Sequence, residues 1–292
     1  MFNPLYPNNI KEIEFYKTYY NIKPENCINY LYADKIDQDV TDLYIITFNN
    51  LFCVEYQLKT IRSFMKQKYN IIIIDNNNDL NPDVSSKTLD ICKKENITYI
   101  KAPNNLFQTP EMFDPSQKLG TTMNWIFHNC VKSRQPKYFG YLDQDCFLFN
   151  DCDLRDYLDT KYMYGQVSIG TFSKVAWNLH VTSNFYKYDF VKDLPLDFRA
   201  SHKYQLDTGG ANYDILYKDF NHKDYEFDAC GFKYFDHDIG DAKTFQYYAI
   251  CDHKWIHMCG STGGNTAGQV DTKVAYIKGF LDCVLNKNSK FF

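Results

Sequence analysis

Apolar residues in the first half of the chain come in short bursts whose period switches. Leu43-Tyr44-Ile45-Ile46-Thr47 reads as a buried strand that ends at the polar turn Asn49-Asn50. Val54, Leu58, Ile61 and Met65 then recur at helical spacing with polar residues between them, predicting an amphipathic helix over 53–68. Tyr69 to Ile74 is a second strand, and its four consecutive isoleucines suit a position covered on both faces. A helix at 84–94, a strand at 97–100, a helix marked by Leu119, Met123, Ile126, Phe127 and Cys130, and a strand at 138–142 continue the alternation.

That order predicts right-handed βαβ units, hence an α/β fold with a mostly parallel central sheet and helices on both faces. Ligands of such sheets bind beyond the carboxyl ends of the strands. Three of those ends are polar here: Thr47-Phe48-Asn49, Asp75-Asn76-Asn77 and Asp143-Gln144-Asp145. They are expected to converge. Past residue 150 the pattern weakens. Residues 165–169 suit a strand, 171–240 read as an irregular aromatic-rich mixture, and Val270, Val274, Ile277, Leu281 and Val284 predict a last helix. Residues 1–40, interrupted by Pro4, Pro7 and Pro24, read as an extension packed on one domain spanning 1–292, with no linker at which to cut it.

Composition narrows the partners. Hydrophobic residues make up 45% of the 292, with 25 Tyr and 23 Phe, which excludes a disordered chain. A formal charge of -4 without a Lys/Arg cluster argues against nucleic acid. No apolar run approaches the ~20 residues of a membrane helix, and the amino terminus lacks a signal-peptide pattern, so a cytoplasmic protein is expected, with peripheral membrane contact left open. The ten cysteines form no Cys-x-x-Cys pair, which argues against zinc and for reduced, buried thiols.

The chemistry centres on Asp143 and Asp145. In an extended segment they face one way and can approach one hard cation such as Mg²⁺ or Mn²⁺, while Gln144 points away. By itself Asp-x-Asp also describes a solvated turn. His257, after Trp255 and Ile256, suits either a ligand or a core histidine, and Asp75 either a ligand-binding carboxylate or an Asx turn.

Taken together, Ile45 to Asn50, Ile73 to Asn77, Lys118-Leu119-Gly120 through Asn124, Leu142 to Asp145 and the His257 segment resemble the nucleotide-sugar-dependent glycosyltransferases of the GT-A fold, specifically family 2-like enzymes, over roughly 42–262. The resemblance implies that 42–150 is a nucleotide-binding half and 151–292 an acceptor-binding half with the last helix. It implies that Thr47, Phe48, Asn49, Asp75 and Asn76 hold base and ribose, with Asn124 near the base or sugar and Gln144, Gly209 and Gly210 at the donor. It assigns Asp145 and His257 to a Mn²⁺ or Mg²⁺ ion, and Asp143 to the ion or the ribose. Asp238 is the implied general base, Asp236 the second choice, and Asp207 a rival base or a ligand for sugar hydroxyls. Trp177, His180, Tyr186 and Tyr188 fall where acceptors bind in that family.

The implied reaction moves a sugar from a nucleotide-diphosphate donor, UDP favoured, to a hydroxyl of a glycan or other acceptor, with inversion. Two further classes stay open. A nucleotidyltransferase acting on a sugar phosphate would want a Gly-rich phosphate loop near the first strand, which 47–51 lacks. An inactive nucleotide- or sugar-binding module would keep the fold without turnover. A glycosidase is disfavoured, because Asp143 and Asp145 lie too close in sequence to flank a glycosidic bond.

Overall fold

A computed structural model describes residues 10–27, 40–77, 82–103, 115–171, 174–234, 247–259 and 267–286. Its central sheet runs β3-β2-β1-β4-β7-β6. Strands β1 (Thr41–Thr47), β2 (Tyr69–Asp75), β3 (Thr98–Lys101) and β4 (Tyr138–Asp143) are parallel; β7 (Trp177–Lys187) pairs antiparallel with β4, and β6 (Met163–Ile169) pairs antiparallel with β7, so β6 runs with the parallel set. The mixed α/β architecture expected from the alternation is the one observed.

The two-residue period of the strands sorts their side chains into two cores. Leu43, Ile45, Ile71 and Ile73 face Val54, Leu58 and Ile61 of helix α2 (Leu51–Phe64) and Cys92 of α3 (Pro82–Glu95). Tyr44, Ile46, Ile72 and Ile74 face Met123 and Ile126 of α4 (Pro115–Ile126) on the opposite side. A fully buried aliphatic side chain contributes roughly 1.5–3 kcal/mol, so a one-residue slip of β1 or β2 would exchange the two faces and their packing. Much of the aromatic content goes here: Phe127, Phe139, Tyr141, Tyr186 and Phe198 pack on one another in the α4-side core. Helix α1 (Ile10–Asn21) joins that core through Tyr19, and the Trp125 indole donates to Ile22 O at 2.8 Å.

Two expectations need correction. Helix α2 stops at Phe64, because Met65 bridges to Cys152 and its neighbours enter that contact. The stretch expected to be irregular contains the eleven-residue β7, which pairs with both β4 and β6. A second sheet, β5-β10-β9-β8, is formed by β5 (Cys146–Leu148), β8 (Cys230–Tyr234), β9 (Tyr247–Cys251) and β10 (Trp255–His257). The C-terminal helix Ala267–Leu285 packs Ile277 and Leu281 against Cys53, Tyr56, Phe147 and Ile256, and so couples α2 to this sheet. Among the described residues no helix is long and apolar enough to cross a membrane.

Candidate metal and donor site

Strand β1 is flanked by β2 on one side and β4 on the other, so the connections leaving β1 and reaching β4 diverge at its carboxyl end. Open α/β sheets bind ligands at such a switch point. The parallel register sets Thr47 beside Asp75 and Ile46 beside Asp143, which brings the three polar strand ends to one edge.

At that edge the chain changes sheets. Gln144 and Asp145 form a turn between β4 and β5, so the stretch is bent where an extended segment was expected. Gln57 holds the bend from α2: its Nε2 donates to Asp143 O at 2.7 Å and to Cys146 O at 2.9 Å. Gln144 donates its backbone N–H to Asp143 Oδ1, and its side-chain oxygen accepts the Phe48 N–H at 2.8 Å. That bond ties the β1 turn to the carboxylates.

β10 pairs antiparallel with β5, setting His257 opposite Cys146, and Met258 N–H donates to Asp145 O. The register delivers the imidazole to the turn. His257 Nε2 lies 3.2 Å from Asp145 Oδ1, and one ligand atom each from Asp143, Asp145 and His257 fall within 4.8 Å of one another. Burial, and then the Asp145 carboxylate, raise the Asp143 pKa to about 7 against the pull of His257. Burial lowers the His257 pKa, but Asp145 outweighs it and holds the imidazole well above its ordinary value. Two carboxylates crowded in a partly buried place, with an imidazole beside them, form an O, O, N donor set that suits a divalent cation. The cation would relieve the repulsion that raises Asp143.

A second chain of groups leads outward. His257 Nδ1 is 3.3 Å from Thr182 Oγ1, and the Thr182 hydroxyl and backbone N–H both meet His180 Nδ1. With Nδ1 accepting, His180 Nε2 carries the hydrogen that faces Asp207 Oδ2, 3.7 Å away. The neighbouring His180 imidazole, ahead of opposing burial, pulls Asp207 well below the usual carboxylate range. Asp207 also accepts the Thr208 N–H, and Gly209 next to it adopts φ +92°, a left-handed conformation in which its missing side chain avoids Asn178 and Leu179. Gly209 and Gly210 thus shape the turn that carries Asp207, with their N–H groups bonded to Phe198 O and Asp207 O.

Other expected site residues are engaged by the protein itself. Asp75 Oδ1 accepts the Asn77 N–H at 2.9 Å, an Asx turn, while Tyr99 OH and Lys101 Nζ donate to Oδ2 at 2.6 and 3.3 Å. Asn76 accepts from Thr122, and Thr47 Oγ1 lies 3.4 Å from Ile74 O. The Phe48 ring is half-buried with Lys118 Nζ 5.2 Å from its centre, and Asn49 turns the chain at φ 51°. Asn124 is away from this edge in its bonding: it donates to Asp197 and Tyr20 and accepts the Phe198 N–H, joining α4 to that segment. Trp177 and Tyr186, expected near an acceptor, are core residues, and Tyr188 is buried with them. Asp236 and Asp238 lie outside the described residues.

Three contributors were not foreseen. Gln57 and Lys273 each interrupt an apolar helical stripe, which was their readable signal; Lys273 is buried and donates to Cys259 O at 2.6 Å. Burial lowers the Lys273 pKa, while Cys259 and Asp145 act against that. Thr182 gave no signal, because its position beside His257 depends on sheet pairing.

No protein-family model matches the sequence, and no curated protein matches it. Among solved structures, the chain is similar to the mannosyltransferase PcManGT from Pyrobaculum calidifontis in complex with GDP-Man and Mn²⁺, at a TM-score of 0.33 and 12% identity over 62% of this chain and 52% of that one. It is also similar to the mannosyltransferase Ktr4p from S. cerevisiae, at a TM-score of 0.35 and 9% identity over 74% and 73%. The chain therefore spans about half the length of the first of these.

Proposed function

We propose that the chain is a metal-dependent glycosyltransferase that moves a sugar from a nucleotide-diphosphate donor, UDP favoured, to a hydroxyl of a glycan or other acceptor, with inversion. The observation that carries this reading is the meeting of Asp143, Asp145 and His257 at the switch point of the sheet, beside the Thr47 and Asp75 strand ends.

Asp143, Asp145 and His257 would hold the cation, Mn²⁺ being better suited than Mg²⁺ to an imidazole ligand. When bound, it would supply positive charge to the departing diphosphate. The Phe48 ring and the Asn49 turn would form a wall for the nucleotide, with Asp75 fixed behind them by Tyr99 and Lys101. Asp207 is a weak base while His180 holds it, and is better fitted to accept a hydrogen bond from a sugar hydroxyl. By the family resemblance alone, Asp238, with Asp236 second, would take the acceptor proton; both lie outside the described residues.

The test is thermal stabilisation by UDP, GDP and their sugars with and without Mn²⁺, followed by donor hydrolysis. Stabilisation by one nucleotide class only with metal, and turnover lost in Asp145→Ala, is expected. Binding without turnover on any sugar would leave an inactive binding module, and metal-independent turnover by the variant would remove the metal from the reaction.

A further inference from the structure

The strand β8 is the edge of the smaller sheet, and its register sets Cys230 directly opposite Cys251 of β9. Asp252 N–H donates to Ala229 O, so the pair next to it, Cys230 and Cys251, is a non-hydrogen-bonded one. Residues facing each other at such a position have Cα atoms about 4.5 Å apart, inside the range that a disulfide spans. The two sulfurs are 3.0 Å apart with both thiols free. Cys230 is exposed, and Cys251 is buried against Gln166, whose Oε1 accepts its S–H at 3.6 Å.

From this geometry we propose that Cys230 and Cys251 are an oxidation site, in which a hydroperoxide converts the exposed thiol and the buried one closes a cross-strand disulfide. The roles follow from exposure: a dissolved oxidant reaches the Cys230 sulfur, while Cys251 is buried behind it. The Cys230 thiolate is the nucleophile that meets the oxidant, and Cys251 resolves it.

With hydrogen peroxide the Cys230 sulfur attacks one oxygen, the O–O bond breaks, and the second oxygen leaves as hydroxide that takes up a proton. Cys251 sulfur then attacks the sulfenic sulfur, the S–S bond forms, and the S–OH oxygen departs as water with the Cys251 proton. Two thiols and one peroxide thus give one disulfide and two waters. The bond would staple β8 onto β9, which is hydrogen-bonded to the strand carrying His257.

The test oxidises the whole chain with graded hydrogen peroxide, blocks remaining thiols with N-ethylmaleimide and maps peptides by mass spectrometry. Ten blocked cysteines are expected to fall to eight, with a cross-linked peptide joining Cys230 to Cys251 that is lost on reduction. In Cys251→Ser, dimedone should trap a sulfenic acid on Cys230. Cys230→Ser, a change at an exposed position, should leave all other thiols blocked at the same peroxide dose. A different linked pair, overoxidation of Cys230 without a cross-link in the native chain, or loss of two thiols in Cys230→Ser would overturn the proposal.

Discussion

His257 Nε2 lies 3.2 Å from Asp145 Oδ1 although 112 positions separate them in the chain, and the contact exists because β10 pairs with β5 directly after the Asp145 turn. Neither residue is near the other through its own element. The pairing of two short strands makes the candidate metal site, so changes that loosen that pairing should act on metal binding as well as on stability.

The first expectation concerns the pair itself. Asp145→Asn removes both the charge that crowds Asp143 and the partner that holds the His257 imidazole, two opposed effects, so the variant is compared with its own metal-free Tm. Its stabilisation by Mn²⁺ should vanish. For the wild type, Mn²⁺ at a hundred times its dissociation constant should add about 2.7 kcal/mol, readable as a rise in Tm. A variant still stabilised by Mn²⁺ would show that Asp145 is not a ligand.

Gln57 should matter through the bend it holds. Gln57→Leu leaves the carbonyls of Asp143 and Cys146 without this donor, at a cost of about 1–3 kcal/mol for each buried group that finds no replacement. Urea unfolding should register the loss. The Mn²⁺-dependent Tm shift should shrink too, whereas an unchanged shift would confine Gln57 to stability.

Away from the site, Arg134 clasps Asp42 on β1 with Nε at 2.6 Å and Nη2 at 3.2 Å, and Asn70 adds a third bond. Both charged side chains are buried. Asp42→Ala should cost about 3–5 kcal/mol in urea unfolding, because it strands the guanidinium. The double variant Asp42→Ala/Arg134→Met should recover part of that loss. Equal cost for both would mean that the stranded charge is not the source.

Gly120 on α4 allows the helix to touch the 198–199 backbone: an added Cβ would sit 2.3 Å from Phe198 O and 2.5 Å from Arg199 Cα. Backbone cannot give way as a side-chain tip does. Gly120→Ala should therefore destabilise by at least about 1–3 kcal/mol despite alanine's better helix propensity. A rise in Tm would contradict the close approach.

Acid stability should respond to Asp197. Burial raises its pKa, but the Arg199 guanidinium, bonded to both its oxygens, outweighs burial and holds the carboxyl below the ordinary value of 3.8. The unfolded chain then binds more protons in this range, so the contribution is present above the unfolded value and is lost as pH falls through the folded one. Between about pH 7 and about pH 3 the urea midpoint should fall more steeply for the wild type than for Asp197→Asn. Parallel curves would remove Asp197 from the acid response.

Much of the parallel half was legible because its strands and helices carry clean periods: Leu43 to Thr47 and Tyr69 to Ile74 have few polar residues, and Val54, Leu58 and Ile61 repeat at helical spacing. β7 was not legible. It buries Asn178, Thr182, Ser183 and Asn184 along with Trp177 and Phe185, so a central strand looked like a polar, aromatic loop. At the site, Asp143, Asp145 and His257 could be picked out, whereas Thr182 and Gln57 acquire meaning only from what lies across the sheet or the helix packing.

By itself the sequence determined which segments become strand or helix in residues 43–143, and which of their ends are polar, since local periodicity and turn residues act over a few positions. Only the tertiary structure decided that β10 lies on β5, that His257 faces Asp145, and that Cys230 faces Cys251. Those contacts are set by strand pairing and by burial of the two faces of each sheet, which are properties of the folded chain as a whole.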